Sequence, residues 1–296
     1  MPLTVRQAIA TGVKTLSDCE ATNPRLDVEI LLAHALDKNR EDLFTNFEQV
    51  LLEKQQDTFN RLIAKRVNNE PVARILGFKE FWSMDFKLNE ATLIPRPDSE
   101  TLVAAVLTYA KTINETSGLK ILDLGTGSGC LLLAILSELS NATGWGVDAA
   151  CGAVELAKDN ALSHGLADRS VFTQYNWLTD EAANLASEKF DIIISNPPYI
   201  ESSDIANLQT EVGGFDPKLA LDGGVDGLLH YRALAKTVHK FIRPDGKLFL
   251  EIGCGQAMDV IKVFIENGWG YISTHKDLAG IERVLMFKNN QINTIF

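Results

Sequence analysis

The tetrapeptide Asn196-Pro197-Pro198-Tyr199 brings a side-chain amide, a carbonyl and an aromatic ring together, directly after the apolar run Phe190-Asp191-Ile192-Ile193-Ile194-Ser195. That run reads as a buried parallel strand. Two consecutive prolines cannot continue a strand ladder, so the chain must leave the sheet at this point. In open α/β sheets, ligands bind in the crevice beyond the carboxyl ends of the strands. The group suits methylation of a planar, weakly basic nitrogen. An amide NH2 delocalises its lone pair and is a poor nucleophile. Asn196 Oδ1 and the Pro197 carbonyl can each accept one of its N–H bonds, which orients it and favours the charge that builds as it attacks. Tyr199 can stack on the flat group and keep water out. Turn chemistry explains the Asn and Pro residues but does not require Tyr199.

A second constellation suits an adenosyl cofactor. Asp123-Leu124-Gly125-Thr126-Gly127-Ser128-Gly129 sits where a strand turns into a helix, and its glycines let backbone approach a ligand. Asp148 ends the next strand, some twenty residues on, at the spacing by which a carboxylate takes two ribose hydroxyls. Asn176-Trp177 follows the third strand and can hold a purine with an amide and an indole. Asp148 alone fits the ribose of NAD or of S-adenosylmethionine. The third glycine comes one residue early for the dinucleotide fingerprint, and the tetrapeptide has a task beside a methyl donor but none beside a nicotinamide. Arg96, flanked by Pro95 and Pro97, reads equally well as a cation at the crevice or as a solvated loop charge.

The elements that must position these residues are legible in outline. From Leu119 onward strand and helix patterns alternate, the mark of a parallel sheet with helices on both faces. Strands are expected at 120–124, 143–147, 171–174, 190–195, 246–252, 271–274 and 283–287, with a helix from Glu100 to about Ala110. The stretch Ile200–Gly227 is a long irregular segment of the kind that usually serves function. The first part reads as helices. Thr4 and Gln7 form a capping box, and Asn23-Pro24 supplies an N-cap with proline at N1. A second stripe comprises Leu26, Ile30, Ala33 and Leu36, and a third helix is expected over Glu48–Val67. Residues 74–88 suggest a hairpin turning at Ser83-Met84. The expected domains are a helical docking bundle at 1–73, a hairpin linker at 74–95 and a catalytic α/β domain at 96–296.

Composition narrows the class. The 296 residues carry a net charge of −11. Residues 1–80 are nearly balanced, with 11 Lys and Arg against 12 Asp and Glu, so the acidity lies with the candidate site. That balance argues against a stand-alone enzyme gripping duplex phosphates. Cys19, Cys130, Cys151 and Cys254 are scattered, which leaves no zinc or disulfide framework, and no metal is expected. The five histidines are also scattered and read as structural. No run of about 18 apolar residues is present, and the N-terminus lacks a signal-peptide pattern. A cytoplasmic location follows as an expectation.

The chain resembles the release-factor glutamine methyltransferases (PrmC, also called HemK) along essentially its whole length. The resemblance is carried by Arg74–Gly77 with Glu80-Phe81-Trp82, Leu93–Pro97, Asp123–Gly129 and Asn196–Ile200. It continues through Ala220–Gly224 with Asp226-Gly227-Leu228, Leu250–Gly253 and Lys276–Gly280. The tetrapeptide alone also fits DNA adenine-N6 methyltransferases, whereas Leu93–Pro97 and Lys276–Gly280 do not belong to those. The resemblance implies a class I S-adenosylmethionine-dependent fold, Rossmann-like and seven-stranded, preceded by a helical domain and a hairpin. It implies N5-methylation of the glutamine in the Gly-Gly-Gln motif of class 1 peptide-chain release factors. Gly125, Thr126, Gly127, Ser128, Gly129, Asp148 and Trp177 would then bind the cofactor. Asn196, Pro197, Pro198 and Tyr199 would hold the glutamine, with Asn196 also near the methyl group. A monomer without direct nucleic-acid or membrane contact is expected. Departures from the usual pattern are Arg74, Asp98-Ser99, Asn176 and Asp216. A ribosomal-protein glutamine methyltransferase, a nucleic-acid amino-methyltransferase and a non-catalytic cofactor-binding protein remain as alternatives.

Overall fold

The computed structural model describes residues 2–19, 23–113, 118–179 and 188–290. In chain order the first helices are α1 (Val5–Ser17), α2 (Pro24–Leu36), α3 (Arg40–Thr45), α4 (Glu53–Val67) and α5 (Val72–Leu76). The hairpin strands β1 (Phe78–Phe81) and β2 (Met84–Lys87) follow, then α6 (Glu100–Thr112), β3 (Lys120–Leu124), α7 (Cys130–Glu138) and β4 (Thr143–Asp148). Next come α8 (Cys151–Ser163), β5 (Ser170–Gln174), β6 (Phe190–Ser195), α9 (Thr210–Gly213) and α10 (Leu229–Thr237). The last elements are β7 (Ile242–Glu251), α11 (Ala257–Glu266), β8 (Trp269–Lys276) and β9 (Glu282–Asn289). The chain divides into two compact units, one of residues 1–78 with 209–215 and one of the remainder.

In the first unit α1, α2 and α4 pack around Val5, Leu16, Val28, Leu31 and Phe59. The helices approach so closely that a Cβ at Gly12 would stand 3.0 Å from Val28 and 3.1 Å from Phe59. The Thr4–Gln7 box and the Asn23 cap form as the sequence indicates. Two expectations are corrected. The inward face of α2 is Val28, Leu31, Leu32, Ala33 and Leu36, while Leu26 and Ile30 are only half-buried. The helix expected over Glu48–Val67 begins at Glu53, because residues 49–51 run extended beside the N-terminus: Val5 N donates to Gln49 O and Leu51 N to Leu3 O. Tertiary pairing here overrides local propensity. Within this unit Arg66, 2% exposed, is bonded to Asp27 Oδ2 at 2.7 Å and to Glu211 in α9.

The second unit carries a seven-stranded sheet in the order β5-β4-β3-β6-β7-β9-β8, with β9 antiparallel to both neighbours and the other pairings parallel. All seven expected strands form, and most extend slightly further than the apolar run that announced them. Residues alternate between two cores, as strand geometry requires: Ile192 and Ile194 face α6 and α7, while Ile193 faces α10 and α11. The hairpin turns at Trp82 and Ser83, both with φ near +55° to +60°, one residue before the expected position. Its Phe81 and Phe86 are buried in the first of these cores, so β1 and β2 pack as part of this unit from Lys79 onward and do not stand apart as a linker.

Candidate active site

Register decides which residues meet at the carboxyl end of the sheet. Val147, Leu124, Ser195 and Leu250 form one paired row across four parallel strands. One residue further along each strand stand Asp148, Gly125, Asn196 and Glu251. Ser195 Oγ donates to Leu124 O at 2.6 Å and pins the two central strand ends together. The strand order reverses between β3 and β6, which is where an open α/β sheet opens its crevice. A cleft of about 970 Å³ lies there. Its walls include Gly125, Thr126, Gly127, Ser128, Asp148, Trp177, Asn196 and Pro198.

The glycine-rich turn is built for close approach. Gly125 has φ +79°, and a Cβ there would come within 3.1 Å of Trp177. Thr126 Oγ1 donates to Asp123 Oδ2 at 2.7 Å, and the buried Asn160 donates to Ser128 O at 2.8 Å, tying the turn to α8. Gly129 differs from the expectation. It caps α7, its Cβ direction is filled by Leu133 and Ala157, and it does not line the cleft. It serves helix packing.

Asp148 Oδ2 accepts from Gly127 N at 2.9 Å and Oδ1 from Ala150 N at 2.9 Å. Burial raises the pKa of this carboxyl against those two donors. Trp177, 7% exposed, donates through Nε1 to His230 Nδ1 at 3.1 Å. An indole only donates, so Nδ1 accepts and the imidazole proton sits on Nε2, facing Asp222 O at 3.1 Å. Burial lowers the His230 pKa, in keeping with a neutral ring. His230 was not legible in the sequence; nothing in its spacing separates it from the other four histidines.

The tetrapeptide is only partly in the cleft. Asn196 and Pro198 line it, whereas Pro197 and Tyr199 do not. The Tyr199 ring packs against Gly253, where a Cβ would meet it at 3.0 Å, and its phenol is pushed up to about 12 by burial. The expected aromatic lid is therefore a packed support behind the wall, because the close passage of Gly253 leaves the ring room on that side. Arg96 does line the cleft and donates to Asp216 Oδ2 at 2.5 Å, while Asp216 Oδ1 accepts from Ile94 N at 3.2 Å. Two buried acids were missed by residue-level reading: Asp123 and Glu251, each pushed up to about 7 by burial. Glu251 lies in a quoted motif, but only the β6–β7 register shows that it neighbours Asn196.

The residues present fit S-adenosylmethionine. Gly127 leaves open space where a side chain would stand, Asp148 offers a carboxylate of the kind that holds a ribose diol, and Trp177 with Asn176 and Leu178 forms a flat wall for a purine.

Comparison with known proteins agrees with this chemistry. Residues 7–77 match the PrmC N-terminal domain and residues 115–248 match a methyltransferase domain. A release factor glutamine methyltransferase of Rhodospirillum rubrum is 43% identical over 96% of this chain and 85% of its own length. One of Bradyrhizobium diazoefficiens is 39% identical over 95% and 93%. A bifunctional methyltransferase of Rickettsia bellii is 34% identical, and the chain spans 56% of that longer protein. A solved methyltransferase of Pyrococcus furiosus shares the fold at TM-score 0.50 and 15% identity, covering 78% of this chain and 98% of its own. The chain thus belongs to the release factor glutamine methyltransferase family and is an S-adenosylmethionine-dependent protein methyltransferase.

Proposed function

We propose that the chain methylates the side-chain amide nitrogen, N5, of the glutamine in the Gly-Gly-Gln motif of class 1 peptide-chain release factors. The observation that carries this reading is the register of Leu124 with Ser195. It brings the amide of Asn196 out of the sheet beside the glycine-rich turn, so one cleft holds both a cofactor floor and a group suited to grip an NH2. Relatives named for release-factor glutamine support the substrate.

Bound S-adenosylmethionine supplies an electrophilic methyl group. The protein supplies placement. Asn196 Oδ1, at the cleft wall, accepts an N–H bond of the substrate amide, aims its lone pair and favours the charge that builds on nitrogen. Orientation of this kind lowers a barrier by several kcal/mol, and each strengthened hydrogen bond adds about 2–4 kcal/mol. Pro198 and the neighbouring apolar wall keep water from the nitrogen. The surplus proton leaves to solvent after attack. Asp148 and Gly127 fix the ribose end, and Trp177, set by His230, fixes the purine end.

The helical unit is proposed as the docking module for the protein substrate, and the cytoplasm, where translation takes place, as the site of action. Among the described residues no helix is long and apolar enough to cross a membrane. Labelled cofactor offered in parallel to release factor, ribosomal protein and DNA tests the substrate. Label on release factor alone is the expected result, and label on either of the others overturns it.

A further inference from the structure

Glu251 ends β7 one step beyond the Ser195–Leu250 pair and so neighbours Asn196 across the sheet. It is 2% exposed, and the neighbouring Ser99 and Asn196 side chains favour its ionised form against the cost of burial. Asn196 Nδ2 also donates to Ser99 Oγ at 3.3 Å. In its ionised form the Glu251 carboxyl can only accept, so it draws Nδ2 toward itself and draws the Ser99 hydroxyl proton, which leaves the serine oxygen free to accept from Nδ2. Both acceptors claim the nitrogen end of the Asn196 amide.

The two ends of an amide have nearly the same shape, and their hydrogen-bond partners alone decide which way it faces. That orientation matters here. With Nδ2 held by Glu251 and Ser99, Oδ1 is the end left for the cleft that Asn196 lines. Rotated by 180°, Nδ2 would meet the substrate NH2, donor against donor, and the acceptor would be lost. We propose that Glu251, acting with Ser99, is a positioning group that locks Asn196 with its oxygen presented to the substrate nitrogen. The proposal rests on the role given to Asn196 above.

The surroundings of Glu251 give the fold little use for a carboxyl. The nearby cation Arg283 is committed to Asp277 and Asp98, at 2.9 and 2.7 Å. Glu251 Oε2 has no hydrogen-bond partner among the described residues. A buried acid so poorly paired costs stability, and the orientation of Asn196 is what it secures. Glutamine, of the same size, could instead donate its own NH2 to Asn196 Oδ1 and hold the amide the wrong way round.

The test is a double-mutant cycle on release-factor methylation, followed by mass spectrometry across wild type, Glu251→Gln, Asn196→Ala and the double variant. Cofactor affinity and thermal unfolding are measured for each. Glu251→Gln is expected to lower turnover roughly ten- to hundredfold at unchanged cofactor affinity. In the Asn196→Ala background it is expected to remove less than about twofold more, because no amide remains to be oriented. Glu251→Gln turnover within about twofold of wild type, or the same loss in both backgrounds, overturns the proposal. Wild-type turnover in Asn196→Ala strikes down the role of Asn196 and the lock with it, a distinct result. If Glu251→Gln does not fold, Ser99→Ala, which removes an acceptor but no charge, carries the same cycle with an expected loss of about three- to tenfold. Additive losses there overturn the proposal equally.

Discussion

In the proposed reaction the chemistry turns on Asn196. Asn196→Ala removes an acceptor from the reacting nitrogen, and turnover should fall at least about a hundredfold while cofactor affinity, measured by calorimetry, changes little. The cofactor end has its own critical pair. His230→Phe leaves the buried indole N–H of Trp177 without its acceptor, at a cost of about 1–3 kcal/mol, and as Trp177 shifts the cofactor dissociation constant should rise by up to about the equivalent five- to 150-fold. The same bond predicts a pH effect. A protonated His230 has no lone pair for the indole, so cofactor affinity should be steady at neutral pH and fall as pH drops below the ordinary histidine range. His230→Phe should abolish that dependence. The residues legible in the sequence (Asn196, Gly125, Asp148 and Trp177) sit in short continuous motifs. Glu251, His230 and Ser99 escaped such reading because their partners lie on other strands and loops, and Tyr199 was misjudged because its setting depends on Gly253.

At the level of elements, the glycine-rich turn and the buried ion cluster of the helical unit make opposite predictions. Gly125→Ala forces a side chain into a left-handed conformation with a 3.1 Å contact to Trp177. The backbone alone costs about 1–2 kcal/mol, and displacement of Trp177 should weaken cofactor binding more than it lowers the melting temperature. Arg66→Met acts on the fold and not on the cofactor. It leaves Asp27 and Glu211 without their shared cation, at a cost of about 3–5 kcal/mol. The unfolding midpoint should fall while the affinity of the folded protein for cofactor stays the same. The sheet was readable because its central strands are continuous β-branched runs, such as Ile192–Ile194. The helix start at Glu53 was not, because residues 49–51 take their conformation from pairing with the N-terminus.

Over the whole molecule, buried acids set the pH dependence of stability, Asp123 and Glu251 foremost and Asp148 in the same direction. Asp123 and Glu251 are pushed up to about 7 from ordinary values of 3.8 and 4.5. The folded chain therefore holds protons that the unfolded chain releases. Their contribution is fully present below the unfolded values and is lost as pH rises through about 7. The carboxyls of Asp222, Asp226 and Asp277 shift the other way; solvent screens the exposed Asp226, while Asp277, bonded to Arg283, offsets part of the effect. Melting should occur at a higher temperature at pH 5 than at pH 8, and Asp123→Asn with Glu251→Gln should narrow the gap by scanning calorimetry.

The most direct measurement is peptide mass spectrometry of a class 1 release factor incubated with this protein and S-adenosylmethionine. One added methyl on the amide nitrogen of the Gly-Gly-Gln glutamine, absent when Asn196→Ala replaces the wild type, is the expected result. An unmodified glutamine, or a methyl on any other residue, would contradict the assignment of this cleft.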